Sequence, residues 1–213
     1  MVSFRLLGYP VRIEWMFWLL CVLLGMHYLQ QAGPTGLGRF LVMTAVVLGS
    51  ILWHELGHAW ARKRCGEPYS EITLHGFGGL CGGPGFFTRR ESIFIAAAGP
   101  GASFLLGGAA SLLLFTPGMS NPWVAFFVAQ MQWVNIGWAI FNLLPILPLD
   151  GGHIFEGFVP DRHRSIVPKV GFILALVIAV LGFVGGSFFM AAMFGMMAHG
   201  NWQRIQGMGR GAW

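Results

Sequence analysis

Apolar runs of membrane-spanning length, separated by short basic stretches, restrict this chain to a polytopic membrane fold. They fall at Ile13 to Leu29, Phe40 to Ala61, Ser92 to Phe115, Trp123 to Leu147, Val167 to Val184 and Ser187 to His199. Most approach the ~17–25 residues that a helix needs to cross the hydrocarbon core of a bilayer. With 55% hydrophobic and 10% charged residues among 213, no stretch remains for a soluble core, and residues 1–213 read as a single integral membrane domain. The expected fold class is all-α and polytopic, with about six transmembrane helices. The last and shortest run spans only if it continues through Asn201 to Ile205.

Thirteen Lys and Arg stand against eight Asp and Glu, but their distribution is a topology signal and implies no nucleic-acid partner. Six spans with the N-terminus inside put Arg5, Arg12, Arg62, Lys63, Arg64, Arg89, Arg90, Arg162, Arg164, Lys169, Arg204 and Arg210 on the cytoplasmic side and Arg39 outside, the asymmetry of the positive-inside rule. Trp15, Trp18, Trp60, Trp123 and Trp202 near the span ends fit an aromatic belt. No small-residue cleavage site follows the first run, so it reads as a retained span. Both termini are then cytoplasmic, and the compact chain points to a prokaryotic plasma membrane. Cys21, Cys65 and Cys81 form neither an even set nor a CxxC, so no disulfide framework or thiolate zinc site is signalled.

Inside the second run lies His54-Glu55-Leu56-Gly57-His58. Ionisable groups at membrane depth are costly, and they mark functional sites that face the protein interior. A helix turns about 100° per residue, which sets His58 about 40° from His54 and Glu55 about 100° from it. All three share one face. The two imidazoles can hold one metal ion while Glu55 faces the water or substrate position. Neutral imidazole suits zinc, whose catalytic sites usually have three protein ligands and an open position. Candidates for the third are Asp150, His75, His153, Glu156, His27 and His199. Asp150 matches best in depth, because it ends a span on the same side as the HELGH segment. His75 and His153 are left as groups that support the site or touch substrate.

Two hydrophilic stretches flank this constellation. Glu71 to His75 followed by Gly76-Phe77-Gly78-Gly79 suggests a small cytoplasmic-side β-hairpin or re-entrant loop between spans 2 and 3, whose free edge could accept an extended peptide as another strand; a flexible glycine-rich connection is the equal alternative. Asn142 to Asp161 carries Pro145 and Pro148, which break helical hydrogen bonding just before Asp150. On the third span Gly99, Ser103 and Gly107 form a small-residue stripe suited to close helix packing.

HELGH together with Asn142-Leu143-Leu144-Pro145-Ile146-Leu147-Pro148-Leu149-Asp150-Gly151-Gly152 resembles the two signatures of the site-2 protease family of intramembrane zinc metalloproteases. The similarity extends to Gly78-Gly79 and to Ala98-Gly99-Pro100 and covers a catalytic three-span core of about 40–152. It implies one Zn²⁺ per chain held by His54, His58 and Asp150, with Glu55 as the base that activates water. It also implies that Asn142 positions substrate or stabilises the oxyanion, and that Gly78 and Gly79 bind substrate. The family often has an asparagine where this chain has Ser103. The form resembled is a minimal one, with no inserted PDZ domain and no C-terminal regulatory domain. The implied partners are a membrane protein substrate with a transmembrane segment, the lipid bilayer and a separate regulatory membrane protein. The rival readings are a zinc transporter, which would distribute coordinating residues over several depths, and a noncatalytic metal-binding scaffold, which would lack an open ligand position.

Overall fold

In Val2–Leu6 (β1) and Tyr9–Ile13 (β2) apolar residues recur at alternate positions, the period of a strand with one face buried. Leu7 and Gly8, with φ of 50° and 89°, make a two-residue turn with positive φ at both positions, whose twist suits a hairpin. β2 pairs in parallel with Glu71–His75 (β3), and β3 pairs antiparallel with Gly78–Gly82 (β4), giving a four-stranded sheet in the order β1-β2-β3-β4. An ion pair of 2.6 Å joins Arg12 to Glu71. The expectation of an all-α fold therefore needs correction: the stretch before Trp15, read as the basic flank of a span, is half of this sheet. The computed structural model describes residues 1–31 and 33–210.

The helices are Trp15–Leu29 (α1), Pro34–Arg64 (α2), Arg89–Ser111 (α3), Pro122–Asn142 (α4), Asp150–Phe158 (α5), Ile166–Val184 (α6) and Phe188–Arg210 (α7). Each of the six apolar runs becomes a helix. Among the described residues, however, only α2, α3 with its 3-10 extension to Phe115, α4 and α6 are both long and apolar enough to cross a membrane. The fifteen residues of α1 rise about 22 Å against a core of about 30 Å, because β2 has taken Ile13. α7 is long but carries Asn201, Gln203, Arg204 and Gln206.

Contacts group the chain into two compact units. In the first, Met1–Phe86 with Ala98–Phe141, Val11, Ile13, Ile72 and Leu74 of the sheet pack on Phe17 and Cys21 of α1 and on Met43, Val47, Ile51 and Ala59 of α2. In the second, Phe87–Ala97 with Asn142–Trp213, α6 buries Gly171, Ala175, Ala179 and Gly182. Small side chains at this spacing let a partner helix approach closely, and Gly182 lies against Met190 and Ala191 of α7. Arg89 at the start of α3 donates to the Val159 carbonyl and pairs with Asp161.

Candidate metal centre

In the first unit, His54, Glu55 and His58 are all buried on α2. The ring nitrogens of the two histidines face each other, Nε2 to Nε2, at 3.2 Å. Two imidazole nitrogens so close need a proton or a cation between their lone pairs. On a tetrahedral zinc with bonds of ~2.05 Å, two nitrogens lie about 3.3 Å apart, so the pair has the bite of such an ion. The other ring nitrogen of His54, Nδ1, is 3.1 Å from the Oγ of Ser103, itself buried on α3. When Nδ1–H donates to that hydroxyl, Nε2 keeps its lone pair for a metal, the arrangement that metal-bound imidazoles usually show. Donor type, spacing and outer hydrogen bond all fit zinc.

Gly99 allows α3 to come this close. A Cβ at this position would lie 2.7 Å from His54 Nε2 and nearer still to His58 Nε2. The Gly99–Ser103–Gly107 stripe, expected to serve packing alone, thus meets the imidazole pair at its first two positions, while Gly107 lies against Asn135 and Ile136 of α4. Asn135 is fully buried and donates to Ser50 Oγ at 2.8 Å, one helical turn before His54. Apart from the four-residue spacing and the family's frequent asparagine at the Ser103 position, nothing local in the chain signals these supports.

The glycine hairpin reaches Glu55. A Cβ at Gly79 would collide with the Glu55 carboxylate, and Gly78, at φ 125°, lies against the indole of Trp138. Arg62, one turn beyond His58 and missed in the sequence, grips both ends of the β3–β4 pair: Nε donates to Ser70 Oγ at 3.1 Å and Nη2 to the Pro84 carbonyl at 2.7 Å. Cys81 on β4 is pushed up to about 12 by burial and then by the Glu55 charge. His75 accepts a hydrogen bond from the Phe77 N–H at 3.2 Å, and burial holds its imidazole below the usual range.

In the second unit, Asn142 is buried at the end of α4 and Asp150 opens α5, half-buried. The residues between are irregular, and the Leu147–Pro148 peptide is cis. The first turn of α5 folds back on this segment, backbone on backbone. A Cβ at Gly151 would collide with the Leu143 carbonyl, and one at Gly152 would stand 2.6 Å from the Leu147 nitrogen. The two glycines after Asp150 are thus a condition for placing it. His153 is exposed, 3.8 Å from a Glu156 carboxylate that Arg164 holds.

The family model for Peptidase family M50 matches residues 116–185, a stretch that contains the Asn142–Gly152 signature. Rip3 of Mycobacterium tuberculosis is 31% identical over 202 residues, 85% of this chain and 51% of that protein. Zinc metalloprotease MJ0392 of Methanocaldococcus jannaschii is 26% identical over 188 residues, 84% of this chain and 52% of that protein. YwhC of Bacillus subtilis is 29% identical over 69% of this chain and 83% of its own length. The chain spans about half the length of Rip3 and of MJ0392. The solved structure of a site-2 protease from Methanocaldococcus jannaschii has the same fold, with a TM-score of 0.69 at 22% identity, covering 96% of this chain and 94% of that one. A buried HExxH helix, the aspartate signature and a shared membrane fold define a class of membrane-embedded metal proteins. Within that class, the chain is similar in sequence to Peptidase family M50 and to these zinc metalloproteases, and in fold to the site-2 protease.

Proposed function

We propose that the chain is an intramembrane zinc metalloprotease that hydrolyses peptide bonds in or near transmembrane segments of membrane proteins. The observation that carries this reading is the buried pair of imidazole nitrogens 3.2 Å apart, with Glu55 beside them on a membrane-spanning helix. Asp150 is the proposed third ligand, since two imidazoles and a carboxylate are a donor set that catalytic zinc takes. When bound, zinc polarises the scissile carbonyl and lowers the pKa of its water towards about 7.

Glu55 then accepts a proton from the attacking water and returns it to the departing amine, acting first as base and then as acid. Burial favours this role, since a carboxylate shielded from bulk water has few competing proton donors. Asn142 orients the substrate carbonyl. Gly78 and Gly79 offer backbone without side chains next to Glu55, so an extended segment of substrate can lie against β4 by strand addition. Substrate must be extended there, because helical hydrogen bonds shield the peptide groups of a transmembrane helix.

The same reading puts the protein in a prokaryotic plasma membrane, with α1 and α7 completing six crossings beside the four helices that are long and apolar enough on their own, both termini cytoplasmic and residues 40–152 as the catalytic core. A separate membrane protein governs access, and cleavage is part of regulated intramembrane proteolysis. The test is reconstitution of the purified chain with a model substrate carrying one transmembrane segment, with products read by mass spectrometry. Cleavage inside or beside the segment, abolished in Glu55→Gln with zinc retained, is expected. Equal cleavage by Glu55→Gln would overturn the mechanism. Zinc flux across vesicles without cleavage would favour transport.

A further inference from the structure

We infer that Asn201, on α7, is a positioning residue for the turn that carries Asp150; the functional consequence rests on Asp150 being the zinc ligand proposed above. Asn201 is fully buried, although the three residues after it are exposed. A buried amide is costly unless its hydrogen-bonding groups are used. Its Nδ2 donates to Met197 of its own helix at 2.8 Å and, across 54 residues, to the carbonyl of Leu147 at 2.7 Å.

That carbonyl needs a partner. Ile146, Leu147 and Leu149 are buried, and Pro148 has no N–H to offer its neighbours. From Leu147 the turn continues through bonds from the Leu149 N–H to the Ile146 carbonyl at 2.8 Å and from the Gly152 N–H to the Leu149 carbonyl at 2.9 Å. Fixing Leu147 therefore fixes the height at which α5 begins, and α5 begins with Asp150. The Oδ1 of Asn201 has no protein partner and lies over Gly171 of α6, where a Cβ would stand 2.7 Å from it. Gly171 thus makes room for the amide, and the close α6–α7 pair serves as the mount from which it holds the turn.

The test uses the full chain in detergent, with wild type, Asn201→Leu, Gly171→Ala, Asp150→Ala and, as a control, Gly195→Ala, whose added Cβ meets nothing within 4 Å. Amide hydrogen exchange over 149–153 is read in zinc-free protein, and zinc affinity by competition with a chromophoric chelator. Asn201→Leu removes the donor, and Gly171→Ala displaces it without changing its chemistry. Both should speed exchange at 149–153 at least about tenfold, leave α2 unchanged, and weaken zinc by about ten- to a hundredfold, the usual cost of losing an outer support of a metal ligand. Gly195→Ala should do neither. Unchanged exchange at 149–153 in both variants overturns the inference, as does faster exchange spread evenly along α6 and α7. It is also overturned if the turn loosens and zinc holds while Asp150→Ala releases it. If Asp150→Ala binds zinc like wild type, the ligand assignment has failed, and exchange alone decides whether Asn201 holds the turn.

Discussion

Replacing Gly99 by alanine adds one methyl group where α3 crosses the imidazole pair. Its carbon would stand 2.7 Å from His54 Nε2 and nearer to His58 Nε2, whereas ordinary contact begins at 3.4 Å. Something must give by at least 3.4 − 2.7 = 0.7 Å, more than three times the ~0.2 Å tolerance of zinc-ligand distances. Without metal the rings can relax by turning about χ2; with metal both Nε2 atoms are required at one point, so the strain falls on the bound state. Overpacking of this kind costs about 1–3 kcal/mol. At about 1.4 kcal/mol per decade, zinc affinity should fall about five- to a hundredfold. Chelator competition measures it, with thermal unfolding of the zinc-free proteins as a check on folding. Gly101→Ala, two residues along the same helix with nothing within 4 Å of its added Cβ, should bind zinc like wild type. If Gly99→Ala binds as tightly as Gly101→Ala, α3 does not press on the metal pair and the geometry argued here is wrong.

Ser103→Ala removes the hydroxyl that faces His54 Nδ1 and should weaken zinc by about ten- to a hundredfold, read in the same competition assay. Gly79→Ala drives a methyl group into the Glu55 carboxylate. Cleavage of a model substrate should fall at least about a hundredfold, as misplacement of a reacting group by about 1 Å predicts, while zinc per chain is unchanged. Burial and the Glu55 charge push the Cys81 thiol from the ordinary 9.0 up to about 12. At pH 8 its thiolate fraction is then about a thousandfold below that of an ordinary thiol, so iodoacetamide should label it far more slowly in the folded chain than in the unfolded one. The sign follows from the raised value: the folded chain keeps this proton between pH 9.0 and about 12 while the unfolded chain loses it. The linked stability is present below pH 9 and declines across that window.

The helices that build the site were legible because lipid leaves few options: a run such as Phe40 to Ala61 with no external partner for its backbone must be helical. The shared face of His54, Glu55 and His58 followed from helical pitch alone. β3 and β4 were visible in the run from Glu71 and the glycines after His75. β1 and β2 also leave a signal in the alternation of Val2, Phe4 and Leu6, but Arg5 and Arg12 in the same stretch suit the basic flank of a span equally well. What the sequence could not display were contacts that depend on which helix face meets which. Gly99 and Ser103 have the spacing of an ordinary packing stripe, and only the approach of α3 to α2 turns them towards imidazole rings. Asn201 is one polar residue at the polar end of a helix, with nothing local to tie it to Leu147. Likewise, Gly151 and Gly152 were part of a recognised signature whose physical reason, the collision of any Cβ with the Leu143–Leu147 backbone, appears only once α5 folds back.

The most direct test of the account is zinc per chain in purified wild type, Glu55→Gln and Asp150→Ala at matched folding and detergent content. A three-residue site with Glu55 outside it predicts about one zinc in the first two and a clear loss in the third. Loss of zinc in Glu55→Gln with retention in Asp150→Ala would contradict it, making Glu55 a ligand and removing the base on which the hydrolytic mechanism depends.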